Sequence, residues 1–399
     1  MSNSDANDLP LPYTGIKVVD MSQGVAGPYC GMLLAQHGAD VIKIEPGGDG
    51  DWSRILGQTY GDHSAFSIAA NLGKRSIVMD LKNEASRAVV DKMVADADVF
   101  IEGFRPGVTD RLGYSYERLK AINPKLIYVS VSGFGQKGPM RERPAMDPML
   151  QAFTGFMAEN KGADGIPHRT PVIFFDMSTA LYAQQAVAAT LFAQRVQGMA
   201  TGRRIELSLM ESAAAIQAIR VMSSYREGPF KIAAAPSGTF TTQDGWMQII
   251  VVKDQEMRKF ANALGHPEWA DDPRFATSAA RREYVDELTG MVREIFATNT
   301  TAHWQSILSE VGLQNEAVQS YPEFVEHPQT EAMEVIAWLT AAGSTEPWPV
   351  PNVPGIAKFQ PNTSLATSPT RGQHTREIMA EHGYDAAVID QLVADGVVT

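Results

Sequence analysis

Asp176 stands where a carboxylate has reason to react. In VIFFDMSTALYAQQ, residues 172–185, four apolar residues, Val172 to Phe175, run straight into this acid, and a helical pattern follows. Ala180, Leu181, Gln184, Val187, Ala188, Leu191 and Phe192 recur at helical spacing, which predicts a helix that Asp176 opens. Two readings of the carboxylate stand side by side. Asp is a preferred N-cap, its oxygen accepting from the first free N–H groups of a helix. It is also a nucleophile when apolar walls exclude water and a helix N-terminus favours the anion. These residues alone favour the cap. Asp147, in PAMDPMLQAF, repeats the arrangement at the start of another helical pattern and is open to the same two readings.

The cations form a second set. Lys74, Arg75, Lys82, Arg105 and Arg111 all fall at the ends of β-α elements. Solvated helix ends are the usual fate of such side chains, and a pocket for an anionic ligand is the alternative. The net charge of −12 argues against a general nucleic-acid binder and leaves room for one local basic pocket. The eight histidines are scattered, with no HExxH pair and no Cys/His cluster, so no metal site is expected. The single cysteine, Cys30, lies in an apolar helical pattern and reads as a core residue of a protein from a reducing, cytoplasmic setting. No apolar run reaches the ~20 residues of a membrane helix. MSNSDANDLPLP lacks a basic start and an apolar core, and reads as a flexible leader rather than a signal peptide.

The elements that must position these groups alternate up to about residue 135. Strand patterns GIKVVDM, ADVIKIE, RSIVMDL, DVFIEGF and LIYVSVSGF are separated by helical patterns in PYCGMLLAQHG, Glu84 to Ala95 and Tyr116 to Ile122. Repeated β-α-β units with short links predict a parallel sheet with helices on its faces. TFTTQDGWMQIIVV reads as a hairpin turning at Asp244-Gly245, and the helices after it suggest a second domain. EPWPVPNVPGIAKFQP is expected to hold little regular structure, and the final segment two short helices joined at Gly383. Gly24, Gly27 and Gly31, with Glu45 ending the second strand, imitate a dinucleotide site. Their spacing is G-x-x-G-x-x-x-G instead of G-x-G-x-x-G, which argues against NAD. Backbone N–H groups at that helix start still suit an anion.

Nine segments, in order, carry a resemblance. GIKVVDMSQGVAGP, GADVIKIEPGGDGD, NLGKRSIVMDLK, FRPGVTDRLGYSYERLKAINPKLIYVSVSGFGQKGP, VIFFDMSTALYA, TGRRIELSLMESA, DGWMQI, DPRFAT and TRGQHTREIMAEHGY are similar to the class III CoA-transferases. That family includes formyl-CoA transferase and carnitine CoA-transferase, and also α-methylacyl-CoA racemases. The resemblance implies an α/β fold with a large Rossmann-like domain. It would span residues 1–200 and return over 331–399, with a linker at 201–224 and a small α+β domain at 225–330. It implies an interlocked homodimer, an acyl-CoA and a small carboxylic acid as substrates, no tightly bound cofactor, and no nucleic-acid or membrane partner. Residue for residue, it makes Asp176 the nucleophile and places Asp147 near the reacting acyl group. It sets Val25, Ala26, Gly103, Phe104, Arg111 and Leu112 along the CoA moiety, Met79 and Lys82 at its adenine end, and Lys74, Arg75 and Arg105 as cations for its phosphates.

Two departures from the family pattern bear on function. Racemases of the family carry a His just before the acid matching Asp147; here Met146 stands there and moves no proton. A racemase or lyase therefore remains the second reading, and a CoA-binding protein without turnover the third, opposed by the retained Asp176. The formyl-CoA members carry a glycine run in the small domain; only Pro236 to Gly238 precedes the hairpin here, which speaks against oxalate as acceptor. Dicarboxylates are the acceptors to try first, because Arg169 and Lys161 are close in sequence to the catalytic helix. Succinyl-CoA enters as donor on its abundance in cells alone.

Overall fold

The computed structural model describes residues 11–162, 164–228 and 233–399; the leader lies outside the described residues up to residue 10. The chain forms two compact units, Met1–Arg226 with Glu331–Thr399, and Glu227–Thr330.

The first unit is built on six parallel strands. They are β1 (Lys17–Asp20), β2 (Asp40–Glu45), β3 (Arg75–Val78), β4 (Val99–Glu102), β5 (Ile127–Ser132) and β6 (Arg203–Ser208). Their order across the sheet is β3-β2-β1-β4-β5-β6, and every neighbouring pair is parallel. The chain thus builds outward from β1 to one edge, then crosses back to lay β4 against the other side of β1. Loops leaving the carboxyl ends of β1 and β4 diverge at this reversal and open a crevice.

Burial explains why the strands read as unbroken apolar runs. Val18 and Val19, Ile42 and Ile44, and Val99 to Ile101 are all buried, as a sheet covered on both faces requires. Helices α1 (Ala26–Gln36), α2 (Glu84–Ala95) and α3 (Tyr116–Ile122) follow β1, β3 and β4. Further helices are α4 (Asp147–Phe153), α5 (Phe174–Arg195), α6 (Leu209–Ile216), α7 (Thr375–Glu381) and α8 (Ala386–Ala394). One core joins Cys30 and Leu34 of α1 to Phe175, Ala183 and Val187 of α5. Cys30 is wholly buried there, which pushes its thiol up to about 12 and leaves it inert. The opposite core joins Val89 and Met93 of α2 to Ile378 and Ile389 of α7 and α8, so the tail completes the sheet's second face.

The second unit holds the hairpin, β7 (Ser237–Thr241) and β8 (Trp246–Ile250), joined by β9 (Gln314–Ala317) in an antiparallel sheet. Asp244 Oδ1 accepts from Thr301 N at 2.7 Å, which ties the turn to the following helices. One expectation is corrected in the proline-rich connector. Trp348–Pro351 is a strand, paired antiparallel with Ile336–Leu339. Pro349 and Pro351 are two residues apart, so their missing N–H groups fall on the strand's unpaired side. Asn352 keeps the ladder going by donating to Val335 O at 2.8 Å.

Candidate active site

The crevice at the β1/β4 reversal is the candidate site. A cavity of about 400 Å³ is lined by Gln23, Val25 and Ala26 from the loop after β1, and by Gly103, Phe104 and Arg105 from the loop after β4. Arg141, Arg143, Met146, Leu209 and Asp176 close it. An adjoining cavity of about 590 Å³ shares Gln23, Trp52, Phe104, Arg105 and Arg141, and adds Arg111 and Glu142.

The loop after β1 is fixed from below by buried charges. Asp20 Oδ1 accepts from Ser22 N at 3.0 Å and from the Ser22 hydroxyl. Lys43 pairs with Asp51 at 2.8 Å and also donates to the Ser22 carbonyl. Asp51 in turn accepts from Gly24 N at 2.9 Å. Gly24 has φ +84°, and a Cβ there would lie 2.2 Å from the Trp52 ring. The glycine therefore serves a turn and a close aromatic contact, with no dinucleotide fingerprint involved. Glu45 is likewise closed to a ribose: it is buried in a bidentate pair with Arg54, at 2.6 and 2.7 Å, and held down to about 2 despite burial.

Asp176 is not the N-cap of its own helix. It occupies the third residue of α5, whose N-cap is Ile173. Asp147, likewise, is the first residue of α4, with Met146 as N-cap. Asp147 caps the neighbouring helix instead. Asp147 Oδ2 accepts from Phe175 N at 2.6 Å and from Asp176 N at 3.3 Å. The backbone N–H groups of Ala26 and Asp147 favour the Asp176 anion. Three helix starts, those of α1, α4 and α5, therefore converge on one carboxylate, and each favours its anion. Burial and the neighbouring Asp147 charge work the other way and win, so that the Asp176 carboxyl is pushed up to about 7. Gln151 completes the arrangement, donating to Asp147 Oδ1 at 2.6 Å and accepting from Thr170 N at 2.9 Å.

The dry wall expected around Asp176 is only half present in this chain. Phe175 is buried, but Val172 and Phe174 are 39 % and 40 % exposed. In a helix start successive side chains point in different directions, so one of each pair faces the core.

Val25, Ala26, Gly103, Phe104, Arg105, Arg111 and Asp176 come together along the two cavities. Others do not. Lys74 is buried, and its ammonium donates to Asp20 at 2.7 Å, Pro28 O at 2.7 Å and Asn71 at 2.9 Å, which uses all three donors. Arg75 is held by Asp40, Glu377 and Glu381. Met79 is buried in the core beside Val398, and Leu112 packs against that core. Lys82 is exposed outside both linings, as are Lys161 and Arg169. Sequence reasoning passed over Gln23, Trp52, Arg141 and Arg143. The cluster RER just before PAMD was the available signal for the arginines; nothing in spacing marked Trp52.

A doubly wound sheet with a half-buried carboxylate at its switch point, and guanidinium groups lining the crevice beside it, defines an α/β protein with a pocket suited to an anionic ligand. The chain belongs to CoA-transferase family III, whose profile matches residues 13–375. It is 35% identical to an acetyl-CoA:oxalate CoA-transferase of Acetobacter aceti, over 82% of this chain and 85% of that one. A succinate–glutarate CoA-transferase of Agrobacterium fabrum is 33% identical over 95% of this chain and 97% of its own. The crystal structure of a CAIB/BAIF family protein from Brucella suis superposes with a TM-score of 0.82 at 32% identity, covering 94% of this chain and all of that one. Among the described residues no helix is long and apolar enough to cross a membrane.

Proposed function

We propose that the protein moves CoA from an acyl-CoA to a free carboxylic acid, with Asp176 as covalent carrier. The supporting observation is that carboxylate itself: it lines the crevice, and the backbone N–H groups of Ala26 and Asp147 favour its anion. An Asp176 oxygen adds to the thioester carbonyl, the C–S bond breaks, and a mixed anhydride and CoA thiolate result. The thiolate adds to the aspartyl carbonyl and expels the donor carboxylate, leaving an aspartyl-CoA thioester. The acceptor carboxylate adds to that thioester, and the released thiolate takes the new acyl group, freeing Asp176. No net proton moves, and the bonds broken match those formed, so exchange is close to thermoneutral. In the second step the N–H groups of Ala26 and Asp147 hold the oxyanion that forms on the aspartyl carbonyl.

The raised pKa of Asp176 bears on the hardest step. An ordinary Asp, near 4, must expel a thiolate whose acid lies near 8.5, a gap worth up to ~6 kcal/mol. With Asp176 at about 7 the gap shrinks to ~1.5 units, about 2 kcal/mol. Binding of the distant CoA handle can offset the rest.

The CoA moiety is assigned to the two cavities. Val25, Ala26, Gly103 and Phe104 lie beside the reacting end, and Arg105 and Arg111 meet the phosphates. We place Asp147 beside the reacting groups as the residue that holds α5 in place and raises Asp176. A racemase would need a second proton carrier across the substrate α-carbon. Met146 lines the cavity where the family's racemases have that His. We also propose a homodimer, supported by the exposed apolar residues Ile219 and Tyr225 on the helix Ala218–Glu227, which buries none of its side chains. Light scattering is the check.

Incubation with a panel of acyl-CoAs, then hydroxylamine and peptide mass spectrometry, tests the covalent step. The expected product is a hydroxamate on Asp176; CoA binding without any adduct refutes the reading. Asp147→Asn supplies a pH test. It removes a like charge, so the acid limb of the pH–rate profile, set by Asp176 near pH 7, shifts to lower pH. An unmoved limb separates Asp147 from the nucleophile.

A further inference from the structure

The guanidinium groups divide between the two cavities in a telling way. Arg111 lines only the outer cavity, and Arg105 and Arg141 line both. Arg143 lines only the cavity that contains Asp176. CoA carries its phosphates at the end far from the thioester, so the outer cations have phosphates to meet. Arg143, confined to the cavity that holds the Asp176 carboxylate, has none. The first cavity also contains a single acid, Asp176, against three arginines. Among the described residues no carboxylate pairs with Arg143, whereas Arg141 lies 3.6 Å from Glu142. The Arg143 guanidinium lies over the Phe134 ring, 5.9 Å from its centroid. Phe134 is buried and itself braced edge-on by Phe153 at 5.3 Å. A guanidinium over a fixed ring presents a fork that matches a carboxylate.

Resting on the CoA-transferase reading above, we infer that Arg143 is a specificity-determining residue that receives the distal carboxylate of a dicarboxylic acyl group or acceptor. Val25, Ala145, Met146 and Leu209 of the same wall offer a chain of methylenes apolar contact. A monocarboxylic acid of equal length would leave the guanidinium without a partner once water is displaced.

The test pairs acceptors matched in length, glutarate against valerate, with succinyl-CoA and acetyl-CoA as donors. The full-length protein and its Arg143→Gln and Arg143→Lys variants are compared by kcat/KM. The expected wild-type preference is for glutarate. R143Q cuts the glutarate-to-valerate ratio about 10- to 100-fold, and R143K restores part of it. An unchanged ratio in R143Q overturns the assignment. So does a loss of affinity for free CoA with the ratio held, since that would give Arg143 to a phosphate. The hydroxamate on Asp176 separates the two levels of argument. Labelling in R143Q with an unaltered ratio refutes only the role of Arg143, whereas no labelling in the wild type refutes the transferase reading and this inference with it.

Discussion

Asp176→Asn stops CoA exchange and stabilises the protein. The first effect follows from covalency. An amide oxygen neither forms the mixed anhydride nor regenerates a leaving carboxylate, so exchange between acyl-CoA and labelled free acid falls on the order of 10⁴-fold or more. The second follows from linkage. The Asp176 carboxyl is near 4 in the unfolded chain and pushed up to about 7 in the folded one. A raised acid favours the folded state fully only below its unfolded value, and that contribution is lost as pH rises through about 7. Above that pH the native protein carries a partly buried charge close to Asp147. Asparagine carries none, so D176N melts higher than wild type at pH 8 and by a smaller margin at pH 5. The difference between the two margins is at most about 3 kcal/mol, an upper bound because the group keeps some contact with water. Paired thermal melts and an isotope-exchange assay read both effects. Exchange within tenfold of wild type would remove Asp176 from the mechanism, and an equal margin at both pH values would remove the buried charge.

That trade between stability and reactivity was half legible in the sequence. An apolar run meeting an acid at a helix start marks a carboxylate in a poor solvent, and the residues after β1 and β4 fall at the reversal that any sheet of this order opens. Helices at Glu84–Ala95 and Tyr116–Ile122 were readable from their patterns, and Asn83 and Ser115 cap them in the fold. The cap that Asp147 supplies to the helix of Asp176 was not readable, because it depends on two helix starts meeting in space. A pattern of local spacing assigns each acid to its own helix. Cations were the weakest class for a similar reason. Lys74 and Arg75 are adjacent, and in a strand adjacent side chains face opposite ways, so one enters the interior while the other stays near the surface. Composition offers no way to tell which cation a buried acid will claim.

Lys74 is therefore the residue where a ligand role and a structural role predict different results. Lys74→Met destabilises the protein by about 3–5 kcal/mol, because it leaves Asp20 charged and buried with less compensation. Burial draws the Lys74 ammonium down to about 8, against the pull of Asp20, so at neutral pH it still carries its charge. Asp20 is held below the usual carboxylate range by Lys74 and Lys43, which outweigh its own burial. The pair closes around a gap left by Gly31, where a Cβ would lie 2.8 Å from Asp20 Oδ2 and 3.1 Å from Lys74 Nζ. Asp20 also anchors Ser22, so weakening the pair loosens the loop that brings Gln23 to Ala26 to the crevice. Denaturant titration of Lys74→Met, Asp20→Asn and the double variant measures the coupling. The double variant is expected to be more stable than Lys74→Met alone, since neutralising Asp20 removes the stranded charge. A phosphate ligand would give the opposite signature: Lys74→Met with an unaltered midpoint, a raised KM for acyl-CoA, and no coupling to Asp20.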